Sequence, residues 1–96
     1  MNARTFAPGT ATVNLAVSTV SANVALNPNA SAVRVANTGA TMAFIQFGDS
    51  SVTASLTASM PLPAGAVETF TKGSAAYVAA ISTGTTTLYF TAGEGM

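Results

Sequence analysis

The chain has 96 residues, of which 49% are hydrophobic and only 6% charged: three Lys or Arg balance three Asp or Glu, leaving formal net charge zero. Without Cys or His it has no disulfide framework and no thiol nucleophile, and it lacks the commonest metal ligand and the commonest neutral-pH general base. Three dispersed cations make no basic stripe for nucleic acid, no apolar run is long enough for a membrane helix, and the start has no secretory h-region.

Charge normally keeps a folded surface apart from its copies, and about 25–35% of an independent domain's surface is Lys, Arg, Glu or Asp. A hydrophobic chain with so little charge is expected to be ordered and to work packed against copies of itself or a larger partner.

Residues 1–10 hold few periodic positions and are expected to form an N-terminal arm outside the sheet. From residue 12 the period is two. Val13, Leu15 and Val17 alternate with small or polar residues, then Val20, Ala22, Val24 and Leu26 do the same. Alternation puts one set of side chains on a buried sheet face, and β-branched Thr and Val suit a pleated surface, so both stretches are expected to be strands. Asn27-Pro28-Asn29 stops the second.

Residues 31–36 are the next expected strand, with Val33 and Val35 inward and Arg34 outward. Residues 37–40 are expected to be a hairpin-type turn, Asn37 and Gly39 being tolerant of positive φ. Residues 41–47 form the most apolar strand, with Met42 and Phe44 on one face and Ala43, Ile45 and Phe47 on the other. Large apolar groups on both faces fit either a central strand or a face that meets another subunit.

After a turn at 48–51, residues 52–59 fit either a loop with one helical turn or an irregular strand. Pro61 and Pro63, two apart, exclude residues 60–63 from a central ladder. Residues 66–71 form a strand anchored by Val67 and Phe70, and residues 75–82 and 85–92 read as a final hairpin. Residues 93–96 are expected to be a tail. Seven to eight short strands with frequent turns predict one all-β domain over residues 11–92, an antiparallel β-sandwich or small barrel with an extended N-terminal arm.

Little here carries chemistry. Asp49 is expected to cap its own turn, and Glu68 to lie on a solvent face, paired with Lys72 or Arg34 if with anything. No catalytic, metal-binding or cofactor-binding residue is assigned, and the chain is not expected to be an enzyme. Phe44, Phe47, Phe70, Tyr77, Tyr89 and Phe90 are expected core aromatics, whereas Phe6 is an aromatic on an arm, placed to anchor into a partner's pocket or to be buried on its own domain.

The stretch Ala32-Val33-Arg34-Val35-Ala36-Asn37-Thr38-Gly39 followed by Ala43-Phe44-Ile45-Gln46-Phe47-Gly48 resembles a recurring pattern in small virion proteins of tailed bacteriophages. Met60-Pro61-Leu62-Pro63-Ala64-Gly65-Ala66-Val67-Glu68 and the closing run from Val78 through Gly95 resemble the same proteins, so the likeness covers about residues 32 to 96. It implies a β-sandwich of the phage particle: a capsid decoration or cement protein that binds the major capsid protein on the outside of the head, assembles as a homotrimer and stabilises the capsid. The alternative is a tail, fibre or connector domain with an adhesive, carbohydrate- or host-surface-binding role. No nucleic acid, membrane or cofactor enters either reading. Expected interface residues are Arg4 and Phe6 on the arm, together with Arg34 and Glu68, a candidate pair across a subunit boundary.

Overall fold

The structure, a computed structural model, describes residues 7–8, 12–26, 30–73 and 75–94. These form nine strand segments: β1 (Ala7–Pro8), β2 (Val13–Val17), β3 (Ala22–Ala25), β4 (Ala32–Asn37), β5 (Ala43–Gly48), β6 (Met60–Leu62), β7 (Val67–Thr71), β8 (Tyr77–Ser82) and β9 (Thr86–Glu94). There is no helix among the described residues. The all-β architecture is as the alternation predicts.

Two antiparallel sheets face each other. In sheet A, β1 and β2 lie end to end along one side of β9, and β4 and then β7 follow on its other side. Sheet B has the order β3-β8-β5-β6. Each sheet is therefore four strands wide.

The pairings nest: β2 with β9, β3 with β8, β4 with β7 and β5 with β6, all antiparallel. The chain is thus one long two-stranded ribbon bent back at residues 49–59. Rolling that ribbon joins β9 to β4 and β8 to β5. This is the eight-strand jelly roll, with β1 as an extension of β2.

Rolling explains where the expected hairpins differ. β4 and β5 belong to different sheets, as do β8 and β9, so residues 38–42 and 83–85 cross between layers instead of closing hairpins. Among described residues only Gly65 and Gly73 have positive φ. Asn37 and Gly39 are therefore not there for left-handed backbone. Asn37 ends β4 almost wholly buried, with 2% of its surface exposed.

The inner faces carry the predicted alternation. Val33, Val35, Leu88 and Phe90 of sheet A meet Ala43, Ile45, Val78 and Ala80 of sheet B, and Val17, Leu26 and Leu62 complete the core. Phe70 packs against this cluster as expected, but Val67 points outward and is half exposed. Val20, expected to start β3, lies before it and is exposed. At the opposite end of the sheet, Ala7–Pro8 pairs with Gly93–Glu94, so the ladder takes in two short pieces of the expected arm and tail.

β5 is an interior strand, and part of the outer face around it is covered from within the chain. Residues 49–59 form a strap over the outer side of sheet B. Asn23, which faces outward beside Ala79, donates from Nδ2 to the Ser50 carbonyl at 3.2 Å. The Ala54 amide donates to Ser21 Oγ at 2.8 Å, and Ser59 Oγ donates to Gln46 Oε1 at 3.2 Å. Beneath this strap Ala79 is fully buried on what is otherwise a solvent face. The strap contains one helical turn, with the Ser59 amide donating to the Ser55 carbonyl at 3.1 Å, which resolves the ambiguity of residues 52–59.

Candidate interaction surfaces

One polar cluster sits between the sheets. Asn37 Nδ2 donates to the Leu62 carbonyl at 2.9 Å and to the Thr41 carbonyl at 3.0 Å. Its Oδ1 accepts from Thr86 Oγ1 at 2.6 Å and from the Gly39 amide at 3.2 Å. The Asn37 backbone bonds to Ala66 and Gly65 in the β6–β7 connection. A carboxamide has two donors and two acceptor lone pairs, and here all four are used. Strands β4, β6 and β9 are pinned at one end of the roll by this side chain. Gly39 completes the arrangement, because a Cβ there would lie 2.8 Å from Thr86 Cα. Sequence reasoning placed Asn37 and Gly39 in a turn and missed this role; the signal available was that Asn37 falls on the inward parity of Val33 and Val35.

The cluster offers no chemistry, since every polar atom is consumed holding the fold. No buried side-chain N or O among the described residues lacks a hydrogen-bond partner, and no group of three or more His, Cys, Asp or Glu side chains gathers among them. Asp49 caps its turn as expected: Ser51 Oγ and the Ser51 amide donate to its Oδ1 at 2.7 and 2.9 Å. The hydroxyl first, then the amide, hold its carboxyl below the ordinary aspartate range.

The predicted interface residues divide. Arg4 and Phe6 lie outside the described residues. Arg34 and Glu68 are on neighbouring strands but opposite faces: Arg34 is level with Thr69 and Thr91 on the outer side of sheet A, whereas Glu68 is level with Val35 on the inner side. They do not pair within the chain. Lys72 is also not a partner for Glu68, since four residues of extended chain separate them by about 13 Å. Lys72 is instead buried, donating from Nζ to the Ala75 carbonyl at 2.7 Å. Glu68 stays exposed because β7 is the sheet edge, and an inward-pointing charge on an edge strand opposes pairing with another edge. Pro61 gives the β6 edge a similar guard.

The outer faces are broad and nearly uncharged. Sheet A presents Thr12, Thr69, Thr87 and Thr91 with Arg34 and Tyr89; Thr12 and Thr91 share a hydroxyl–hydroxyl bond of 2.7 Å. Sheet B presents Phe44, Ile81, Tyr77 and Pro61 around the strap. Among the described residues Arg34 is the one charged side chain that the strands of either outer face carry, and Asp49 adds a carboxylate at the start of the strap.

Two depressions are lined by described residues. One, of about 440 Å³, is lined by Thr38, Gly39, Thr85, Thr86 and neighbours at the Asn37 end. The other, of about 360 Å³, opens between the sheets at the β6–β7 edge and is walled by Ile45, Phe47, Met60 and Phe70. Phe47 and Phe70 face each other there with ring centres 5.9 Å apart and planes tilted by 57°. Comparison with known protein families, with curated proteins and with solved structures finds no match.

Proposed function

We propose that this protein is a structural component of a tailed-phage virion, a decoration protein that binds the outer capsid surface as a homotrimer and stabilises the head. The observation that carries this reading is the pair of wide, nearly uncharged outer faces, which among the described residues bear Arg34 on sheet A and Asp49 in the strap over sheet B. Burying such faces against other subunits avoids the desolvation cost that charged groups impose, while apolar and backbone contacts from many copies add up. A jelly roll is among the architectures used in viral shells, which fits the reading but does not select it over lectins built the same way. The adhesive alternative calls for exposed aromatics grouped near polar loops, and Tyr89, the one aromatic among the large exposed hydrophobics of the described residues, stands in the middle of a sheet.

The test uses particles of the phage that encodes this chain, prepared without it. Purified protein added back is expected to saturate at a multiple of three copies per binding position and to raise the temperature at which heads release DNA. Heads that neither bind the protein nor change in heat resistance would sink the proposal.

A further inference from the structure

We infer that the apolar cleft at the β6–β7 edge receives Phe6 of a second copy of this chain. The inference rests on the reading above only in requiring that copies assemble.

Three features of the cleft select the occupant. Its walls are Ile45, Phe47, Met60 and Phe70, with no charged group among its lining residues, so an uncharged apolar side chain suits it. Its volume, about 360 Å³, fits one aromatic ring, and the tilted Phe47–Phe70 pair presents faces and edges to a third. Beside it, among the described residues, β6 pairs only with Ala43–Ile45, so β5 runs on past β6 at residues 46–48. An extended segment entering there finds strand edges to bond while its side chain fills the hole.

The arm has the matching chemistry. In residues 1–6, Met-Asn-Ala-Arg-Thr-Phe, the large apolar side chains are Met1 and Phe6. The arm departs at the correct end of the molecule, because Pro8, Gly93, Ala32 and Thr71 are level across sheet A, and Thr71 lines the cleft.

That register also decides between the chain's own cleft and a neighbour's. Three strand spacings separate Pro8 from Thr71, about 14 Å. Phe6 is one residue from Ala7, which is held level with Glu94, and one residue of extended chain spans about 3.5 Å. That span is too short for Phe6 to reach the far edge of its own sheet, which leaves the cleft of an adjacent copy.

The chain has no cysteine, so engineered thiols report the contact cleanly. Phe6→Cys and Met60→Cys proteins are purified separately, mixed at high concentration, oxidised and mapped by mass spectrometry. The expected product is the mixed disulfide between positions 6 and 60, well above the yield with Val20→Cys, an exposed site remote from the cleft. A yield no higher than that control, or a double variant that closes its disulfide within one chain, overturns the inference. Sedimentation gives an independent readout. Phe6→Ala and Met60→Asp should each weaken self-association, Phe6→Ala by about 10- to 140-fold for loss of one buried aromatic. Met60 is half exposed, so its substitution should leave the monomer's melting temperature unchanged. Association constants unaffected by either change, or a wild-type chain that stays monomeric at millimolar concentration, reject the contact. If the position 6–60 contact forms but particles do not bind the protein, the virion reading fails and this one stands; particle binding without the contact gives the reverse.

Discussion

Replacing Asn37 by alanine tests the claim that one carboxamide fastens one end of the roll. Four hydrogen bonds disappear, and the four groups left behind differ in access to water. Thr41 and Gly39 are half-buried, so water can replace the side chain there. The Leu62 residue is fully buried and Thr86 is 7% exposed, so a carbonyl and a hydroxyl lose their partner in a dry site. Leaving a buried polar group unsatisfied costs about 1–3 kcal/mol, so the two together cost about 2–6, with about 4 the central expectation. Domains of this kind are stable by about 5–15 kcal/mol, which makes the loss a large fraction of the total. In guanidinium chloride, at an m-value of about 3 kcal/mol/M, the unfolding midpoint should fall by about 0.7–2 M with m unchanged. Thr86→Val keeps the shape and removes one donor, and should cost about 1–2 kcal/mol. The double variant should cost less than the sum, since both changes break the same bond. A loss below about 1 kcal/mol for Asn37→Ala, the scale of an exposed turn residue, would refute the argument.

Gly39→Ala should destabilise by about 1–3 kcal/mol or more, because the new methyl meets Thr86 backbone 2.8 Å away, while Gly84→Ala, 3.5 Å from the Thr41 side chain, should be near neutral in the same melts. Gly65→Ala faces open space at φ 79° and should cost about 1 kcal/mol through backbone conformation alone. Ala79→Leu should push the 49–59 strap outward, seen as faster proteolytic cleavage within it; an unchanged cleavage rate would mean that the strap does not cover Ala79. Asp49 should titrate by NMR below an ordinary aspartate, and Ser51→Ala should bring it back up. Because its folded value is the lower one, the stability it adds is present above the unfolded pKa near 4 and is lost as pH falls through the folded value.

The sequence is most legible where one residue reports on its own surroundings. Period-two alternation placed Val13, Leu15, Val17, Val33, Val35, Leu88 and Phe90 on inner faces, and paired prolines placed β6 at an edge. Partnership is a different matter, because alternation states which face is buried and not against what. The connections at 38–42 and 83–85 have the glycine-rich look of hairpin turns, yet each carries the chain to the other layer. Lys72, weighed as a partner for Glu68, is buried and bonds the Ala75 carbonyl. Met42 and Phe44 left open a subunit contact, and the strap that covers Ala79 on the same side of sheet B was legible only as an ambiguous loop. Asn37 shows the same limit: Asn37-Thr38-Gly39 signals a turn, while the use of Asn37 as a four-bond hub depends on Leu62 and Thr86, distant in sequence.

The nested ribbon also fixes an order of events. β5 and β6 are separated by only the 49–59 strap, whereas β9 must find β2 and β4 across most of the chain. Loop closure costs more entropy as the span grows, so pairing should start at the strap and run outward, slowly, as in other topologies dominated by distant contacts. β9 is an interior strand of sheet A, beside β4, and every other strand precedes it along the chain. Until it is synthesised, β2 and β4 have nothing between them, so sheet A cannot be assembled stepwise during translation. The protein is built to close in one late step, and losing β9 alone should leave half of the sandwich without a centre.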